Sequence, residues 1–118
     1  MILCVVVGAS AIRLAVGAFT LGWTHSIEHT RWEEDWRITP QGLEIVEARV
    51  RGSGAGMDPG EGAVLRDGWW RWTPVLAPLP DLVLAASGAT SGGWDLCTQH
   101  VCHKLGANRA EAVRLAPC

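Results

Sequence analysis

The chain has 118 residues, about half of them apolar, and a formal net charge of −2 from intermixed acids and bases. That length suits one domain with one core, so residues 1–118 are read as a single β domain. The charge excludes the basic face that a nucleic-acid footprint needs. No run approaches the ~18 apolar residues of a membrane span, so any membrane contact is expected to be indirect.

Seven Trp stand against one Phe and no Tyr. An indole combines a large apolar area with one N–H donor, so it serves cores and ligand-facing surfaces alike. The opening run Met1-Ile2-Leu3-Cys4-Val5-Val6-Val7 is apolar but short and has no basic n-region. It is not expected to be a complete signal peptide. Beyond it, period-two alternation broken by turn residues predicts an all-β chain, an antiparallel β-sandwich or partly open barrel built from hairpins.

The alternation predicts a three-stranded meander over residues 19–27, 32–39 and 43–51. With Glu28, His29, Thr30 and Arg31 as a four-residue loop, Ile27 pairs with Trp32 and His25 faces Glu34. Trp23 then faces Trp36. Pro40-Gln41-Gly42 fits a three-residue hairpin loop, which pairs Thr39 with Leu43, Glu34 with Ala48 and Trp36 with Val46. Both registers place Trp23, Trp32, Trp36, Leu21 and Ile38 on one face. The other face carries Glu33, Asp35, Arg37, Glu47 and Arg49, with Glu33 opposite Arg49. That face reads as a solvated, charge-paired surface.

His25 and Glu34 are then polar neighbours on an aromatic face. A buried carboxylate needs a partner. The two residues are either a satisfied structural pair or the polar floor of a ligand pocket. Glu28 and His29 adjoin one end. The ligand types suit a metal, but the spacing is not diagnostic.

Gly52-Ser53-Gly54-Ala55-Gly56-Met57 follows a strand, opens no helix and lacks the Lys of a phosphate loop. It reads as a crossover between sheets. Asp67-Gly68 marks a two-residue turn pairing Arg66 with Trp69 and Leu65 with Trp70. A short apolar strand follows over residues 82–86, and then a hairpin of residues 94–97 against 102–105. Cys97 and Cys102 bracket that hairpin's four-residue loop and can face each other in a disulfide. The competing reading is a metal set of Cys97, His100, Cys102 and His103, but zinc knuckles and redox motifs prefer a two-residue gap. Residues 107–115 are the one helix candidate, with Asn108 as N-cap. The pairing of Cys4 and Cys118 stays open. No nucleophile–base pair has a recognisable context, since Ser26 and His25 are adjacent in a strand and point to opposite faces. No motif calls for a cofactor, and the chain reads as a non-enzyme.

The motifs Thr24-His25-Ser26-Ile27-Glu28, Glu33-Glu34-Asp35-Trp36-Arg37 and Glu47-Ala48-Arg49, followed by Gly54-Ala55-Gly56-Met57, resemble a bacterial family, the domain of unknown function numbered 1850. The resemblance runs over residues 19–105 and includes the Asp67-Gly68-Trp69 turn and the two-cysteine hairpin. It implies a small exported protein whose genes stand beside TAXI-type TRAP transporters, and hence a periplasmic accessory role in solute uptake. The resemblance also implies a signal sequence, with which members of the family usually begin. The resemblance singles out His25, Glu28, Glu34, Trp36, Arg37, Gly54 and Gly56. With Trp23 these are the expected ligand-binding residues, and the expected partner is a small molecule or a transporter component. The alternative function is metal handling by the His/Cys-rich segments.

Overall fold

A computed structural model describes residues 1–25, 29–52, 59–86, 91–107 and 111–118, with residues 91 and 92 described by their backbone alone. Among the described residues the alternation forms eleven strands. They are β1 (Leu3–Val7), β2 (Ser10–Leu14), β3 (Ala18–Thr24), β4 (Arg31–Thr39), β5 (Gly42–Arg51) and β6 (Val64–Arg66). The rest are β7 (Trp69–Trp72), β8 (Leu82–Leu84), β9 (Ser91–Cys97), β10 (Cys102–Leu105) and β11 (Val113–Pro117). They make two antiparallel sheets packed as a sandwich and not closed into a barrel. One sheet has the order β2-β1-β11-β8 and the other β10-β9-β3-β4-β5-β7-β6.

No helix forms among the described residues. The helix expected over residues 107–115 is replaced, from Val113 onward, by β11, which lies between β1 and β8. Val113 and Leu115 are both fully buried, and residues two apart share a strand face. The pattern that suggested a helix is therefore a strand alternation. Asn108 lies outside the described residues. The apolar opening run supplies β1, with Leu3 and Val5 buried in the core.

The charge-bearing register between β4 and β5 follows the sequence expectation over its first half, with Trp32↔Val50, Glu33↔Arg49 and Glu34↔Ala48. A bulge then intervenes. The pairing steps from Asp35↔Glu47 to Trp36↔Ile45, which leaves Val46 without a partner and 42% exposed. Trp36 therefore faces Ile45, not Val46, and Thr39 pairs with Gly42 across a two-residue turn. The extra residue restores the inward set of Ile45 and Leu43, which a continuous ladder would have turned outward.

The β3–β4 register differs more. Leu21 faces Glu34 and Trp23 faces Trp32. The connection begins at His25, whose carbonyl accepts from the His29 N–H at 2.9 Å, while its own N–H donates to Thr30 at 2.9 Å. His29 takes a positive φ of 54° there. The expected pairs are thus shifted by four residues. An even shift keeps every side chain on its expected face, so the tryptophan face survives and the His25–Glu34 pairing does not.

The Asp67-Gly68 turn forms as expected, with positive φ at both residues (55° and 82°) and Arg66↔Trp69 and Leu65↔Trp70 pairing. Leu3, Val5, Leu21, Trp36, Leu96 and Leu115 stand for the core between the sheets. Cys97 pairs directly with Cys102 and is disulfide-bonded to it. A second disulfide joins Cys4 to Cys118.

Candidate functional site

The register places six of the tryptophans on the inner face of the long sheet. Across the strands run Trp94↔Trp23, Trp23↔Trp32, Trp32↔Val50 and Val50↔Trp70, and in the next row Leu96↔Leu21, Leu21↔Glu34, Glu34↔Ala48 and Ala48↔Trp72. Trp36 follows on β4, two residues beyond Glu34. The small side chains of Ala48 and Val50 leave room for Trp72 to reach across β5.

Four rings form a continuous row. Trp94 meets Trp23 with centroids 5.1 Å apart, Trp23 stacks on Trp32 at 6.1 Å and 9°, and Trp72 closes edge-on against Trp32 at 6.0 Å. All four are only half-buried. Trp72 and Trp94 touch the core from its margin, while Trp23 and Trp32 lie outside the core cluster. From the loop side, Gly60 sits against the Trp72 indole with no room for a Cβ.

Polar capacity at this end is small and partly unused. Glu34 Oε1 accepts from Trp36 Nε1 at 3.2 Å. Burial raises the Glu34 carboxyl above the usual carboxylate range, and the Trp36 hydrogen bond only partly offsets this. Trp32 Nε1 is buried with no hydrogen-bond partner among the described residues, which costs about 1–3 kcal/mol when a donor stays unmet. Trp94 Nε1, by contrast, donates to the Ala85 carbonyl at 3.0 Å. His103 Nε2, on β10 at the sheet margin, is likewise buried with no partner among the described residues.

Of the residues expected from sequence, Trp23 and Glu34 belong to this end. Trp36 contributes its N–H, but its ring is core at 3% exposure. His25 lies four residues past the position opposite Glu34, about 13 Å along the strand at strand rise. Arg37 is on the outer face, paired with Glu44. Glu28, Gly54 and Gly56 lie outside the described residues. Trp32, Trp72 and Trp94 were not singled out, although the alternation that placed Trp23 inward places Trp32 beside it.

The outer face holds a chain of ion pairs. Lys104 meets Asp95, and Asp95 meets Arg31 at 2.9 Å. Arg31 meets Glu33 at 3.3 Å, and Glu33 meets Arg49 at 3.0 Å. Arg49 also binds Asp35 at 2.8 Å and Glu47 at 3.4 Å, and Glu47 continues to Arg71. Burial alone would raise Asp35, but hydrogen bonds from Arg49 and Thr20 outweigh it and hold the carboxyl below its usual range. Asp95 is lowered in the same way, burial being overcome by Lys104 and Arg31. Trp69 packs on this face under Arg49 and Arg51, whose guanidinium carbons lie 5.9 and 5.5 Å from its ring.

An open cleft of about 850 Å³ lies where β9 ends at Cys97, bordered by Val16, Ala18, Thr20, Asp35, Arg37 and His100. Its acidic group is already committed to Arg49 and Thr20, and Arg37 to Glu44. Because Cys97 and Cys102 are bonded to each other, the sulfurs of the Cys97, His100, Cys102 and His103 set are not free as ligands in this state.

The family described as a domain of unknown function (DUF1850) matches residues 19–105, most of the chain. The protein belongs to the DUF1850 family. The match runs from the second residue of β3 to the end of β10, hence over the whole tryptophan row of this DUF1850 chain, while β1, β2 and β11 fall outside it. No curated protein and no solved structure matches the chain.

Proposed function

We propose that this protein is a non-catalytic binding module of the periplasm, an accessory to TRAP-type solute uptake, and that its tryptophan-lined end meets a small ligand or a transporter component. One observation carries the reading of the surface. Trp94, Trp23, Trp32 and Trp72 form a ring-to-ring row that is only half-buried, and it contains an unmet donor in Trp32 Nε1. Core tryptophans of a finished interior are covered and satisfied, whereas binding sites combine apolar walls with a few unspent polar groups. The export part of the reading is supported by the two disulfides, which form and persist in oxidising compartments. The transporter setting rests on the family resemblance.

The test is a titration followed through the indole N–H signals of the seven tryptophans, with a panel of sugars, carboxylates and amines and with the purified transporter components. Shifts confined to Trp23, Trp32, Trp72 and Trp94 support the reading. Trp32→Phe should fold, because the ring lies outside the core cluster, yet should weaken the response at least about fivefold through loss of its donor. A panel that leaves these signals unmoved sinks the proposal.

A further inference from the structure

Resting on that reading of the tryptophan end, we infer that its ligand is an organic cation, an alkylammonium group held between the indole faces and the Glu34 carboxylate. The argument starts from sign. On the inner face of the long sheet, β3 presents Phe19, Leu21 and Trp23, and β5 presents Ile45, Ala48 and Val50. β7 presents Trp70 and Trp72, and β9 presents Trp94 and Leu96. None of these is ionisable. Among the described strand residues Glu34 is therefore the one carboxylate on this side, and His103 of β10, opposite Leu96, is the titratable group that shares the face three strands away. Of the arginines on the same strands, Arg31, Arg37, Arg49 and Arg71 are engaged with carboxylates on the other face, where Arg51 lies over Trp69.

Next comes what the carboxylate lacks. It accepts one hydrogen bond, from a neutral indole, and no cation accompanies it among the described residues. A carboxylate left without a counter-charge on a desolvated face is costly, and a bound cation supplies that partner. The surrounding surface also favours positive charge. Indole faces are negative by quadrupole, and an aromatic enclosure with an acid beside it is the usual means of recognising quaternary ammonium. An anionic ligand would be repelled by the Glu34 carboxylate and by the indole faces. A sugar would need a set of donors and acceptors, and this end offers one carboxyl and the Trp32 N–H. That N–H suits a hydroxyl or carbonyl oxygen carried near the cationic centre.

The probes are choline and its neutral carbon isostere 3,3-dimethyl-1-butanol, titrated into the full chain while the indole N–H signals are followed. They share shape and hydroxyl and differ in charge. Choline is expected to shift Trp32 and Trp72 and to bind about tenfold or more tighter than the isostere, the charge-dependent part of a desolvated cation–aromatic contact. Glu34→Gln should cut choline's advantage over the isostere severalfold, leaving only the part that the indole faces supply. In the unaltered chain choline binding should weaken with acid more steeply than in the variant, which lacks the Glu34 carboxylate and keeps His103 on the same face. Equal binding of the two probes overturns the cation inference but leaves the tryptophan end a binding surface. Choline without effect, where a neutral or anionic panel member moves the same indoles, does likewise. If no probe moves them, both readings fall together.

Discussion

Glu34 illustrates how one side chain can be kept at a cost. Burial raises its carboxyl above the usual value of 4.5, so the folded state holds the proton more tightly than the unfolded chain does. The stabilising contribution is then fully present below the unfolded value and is lost as pH rises through the raised folded one. At neutral pH the ionised group works against the fold. Glu34→Gln keeps an acceptor for Trp36 Nε1 and removes the charge. We expect its melting temperature at pH 7 to equal or exceed that of the unaltered protein, with the difference closing as pH falls below about 4 and both side chains become neutral. Thermal melts across that range check it. A variant less stable at pH 7 would show that the carboxylate has a structural partner. Stability gained by removing a charge is the pattern expected of a residue retained for binding. From sequence alone Glu34 was legible as a misplaced acid, because alternation put it among tryptophans. Its partner was not. The His25 assignment depended on where one turn begins, and alternation is blind to shifts of two or four residues.

Strands and their ladders show the same division between what pattern carries and what it omits. Faces were readable over β3, β4 and the second half of β5, and the Glu33–Arg49 pair with them, whereas before the bulge Val46 was expected inward and Ile45 and Leu43 outward. The bulge at Val46 was not readable, since a residue with no partner leaves no mark on the inward alternation beyond one exposed valine. The β11 segment was misread because five residues of alternation are too few to distinguish from a helical turn. On the outer face, Arg49 is the hub, 13% exposed and touching Glu33, Asp35 and Glu47. Gly22 has a quieter part. It lies between Glu33 and Asp95 in the register, and a Cβ there would collide with the Arg31 guanidinium. Its bare backbone is what lets Arg31 cross to Asp95. Arg49→Met should therefore cost about 2–3 kcal/mol, three carboxylates losing their shared donor. Gly22→Ala should cost about 1 kcal/mol or less, because Arg31 can swing aside and forfeit only a partly exposed pair. Urea unfolding ranks the two. Asp35 and Asp95 have depressed folded values, so their contribution is present above the usual carboxylate range and lost as pH falls through those values. Arg49→Met should flatten the Asp35 part of that acid loss, because Asp95 keeps Lys104 and Arg31, and an unchanged acid profile would exclude the Arg49–Asp35 pair as a source.

At the scale of the whole molecule, the two ends of the chain meet in one sheet. β1 pairs with β11, Cys4 opposite Ala116, and the bridge to Cys118 closes just beyond the last pair. Neither cysteine announces this in sequence, because only the topology brings strands so far apart side by side. The two disulfides differ in sequence separation, 114 residues against 5. In the chain-entropy picture the first removes about 5 kcal/mol of unfolded-state freedom and the second about 2. A domain of this size has about 5–15 kcal/mol in all, so losing the terminal bridge should consume much of it. The β1–β11 ladder also forms only after the whole chain has folded back, and such non-local pairing is slow and entropically costly to close. We therefore expect Cys4→Ser/Cys118→Ser to lower the urea midpoint more than Cys97→Ser/Cys102→Ser. The terminal variant should also lose protection first in β1, β2 and β11, while the tryptophan signals of the long sheet persist longer. Hydrogen exchange on both variants decides it. If the hairpin variant proves the weaker, the short bridge must act by holding the edge strand β10 in the folded state, not by restricting the unfolded one.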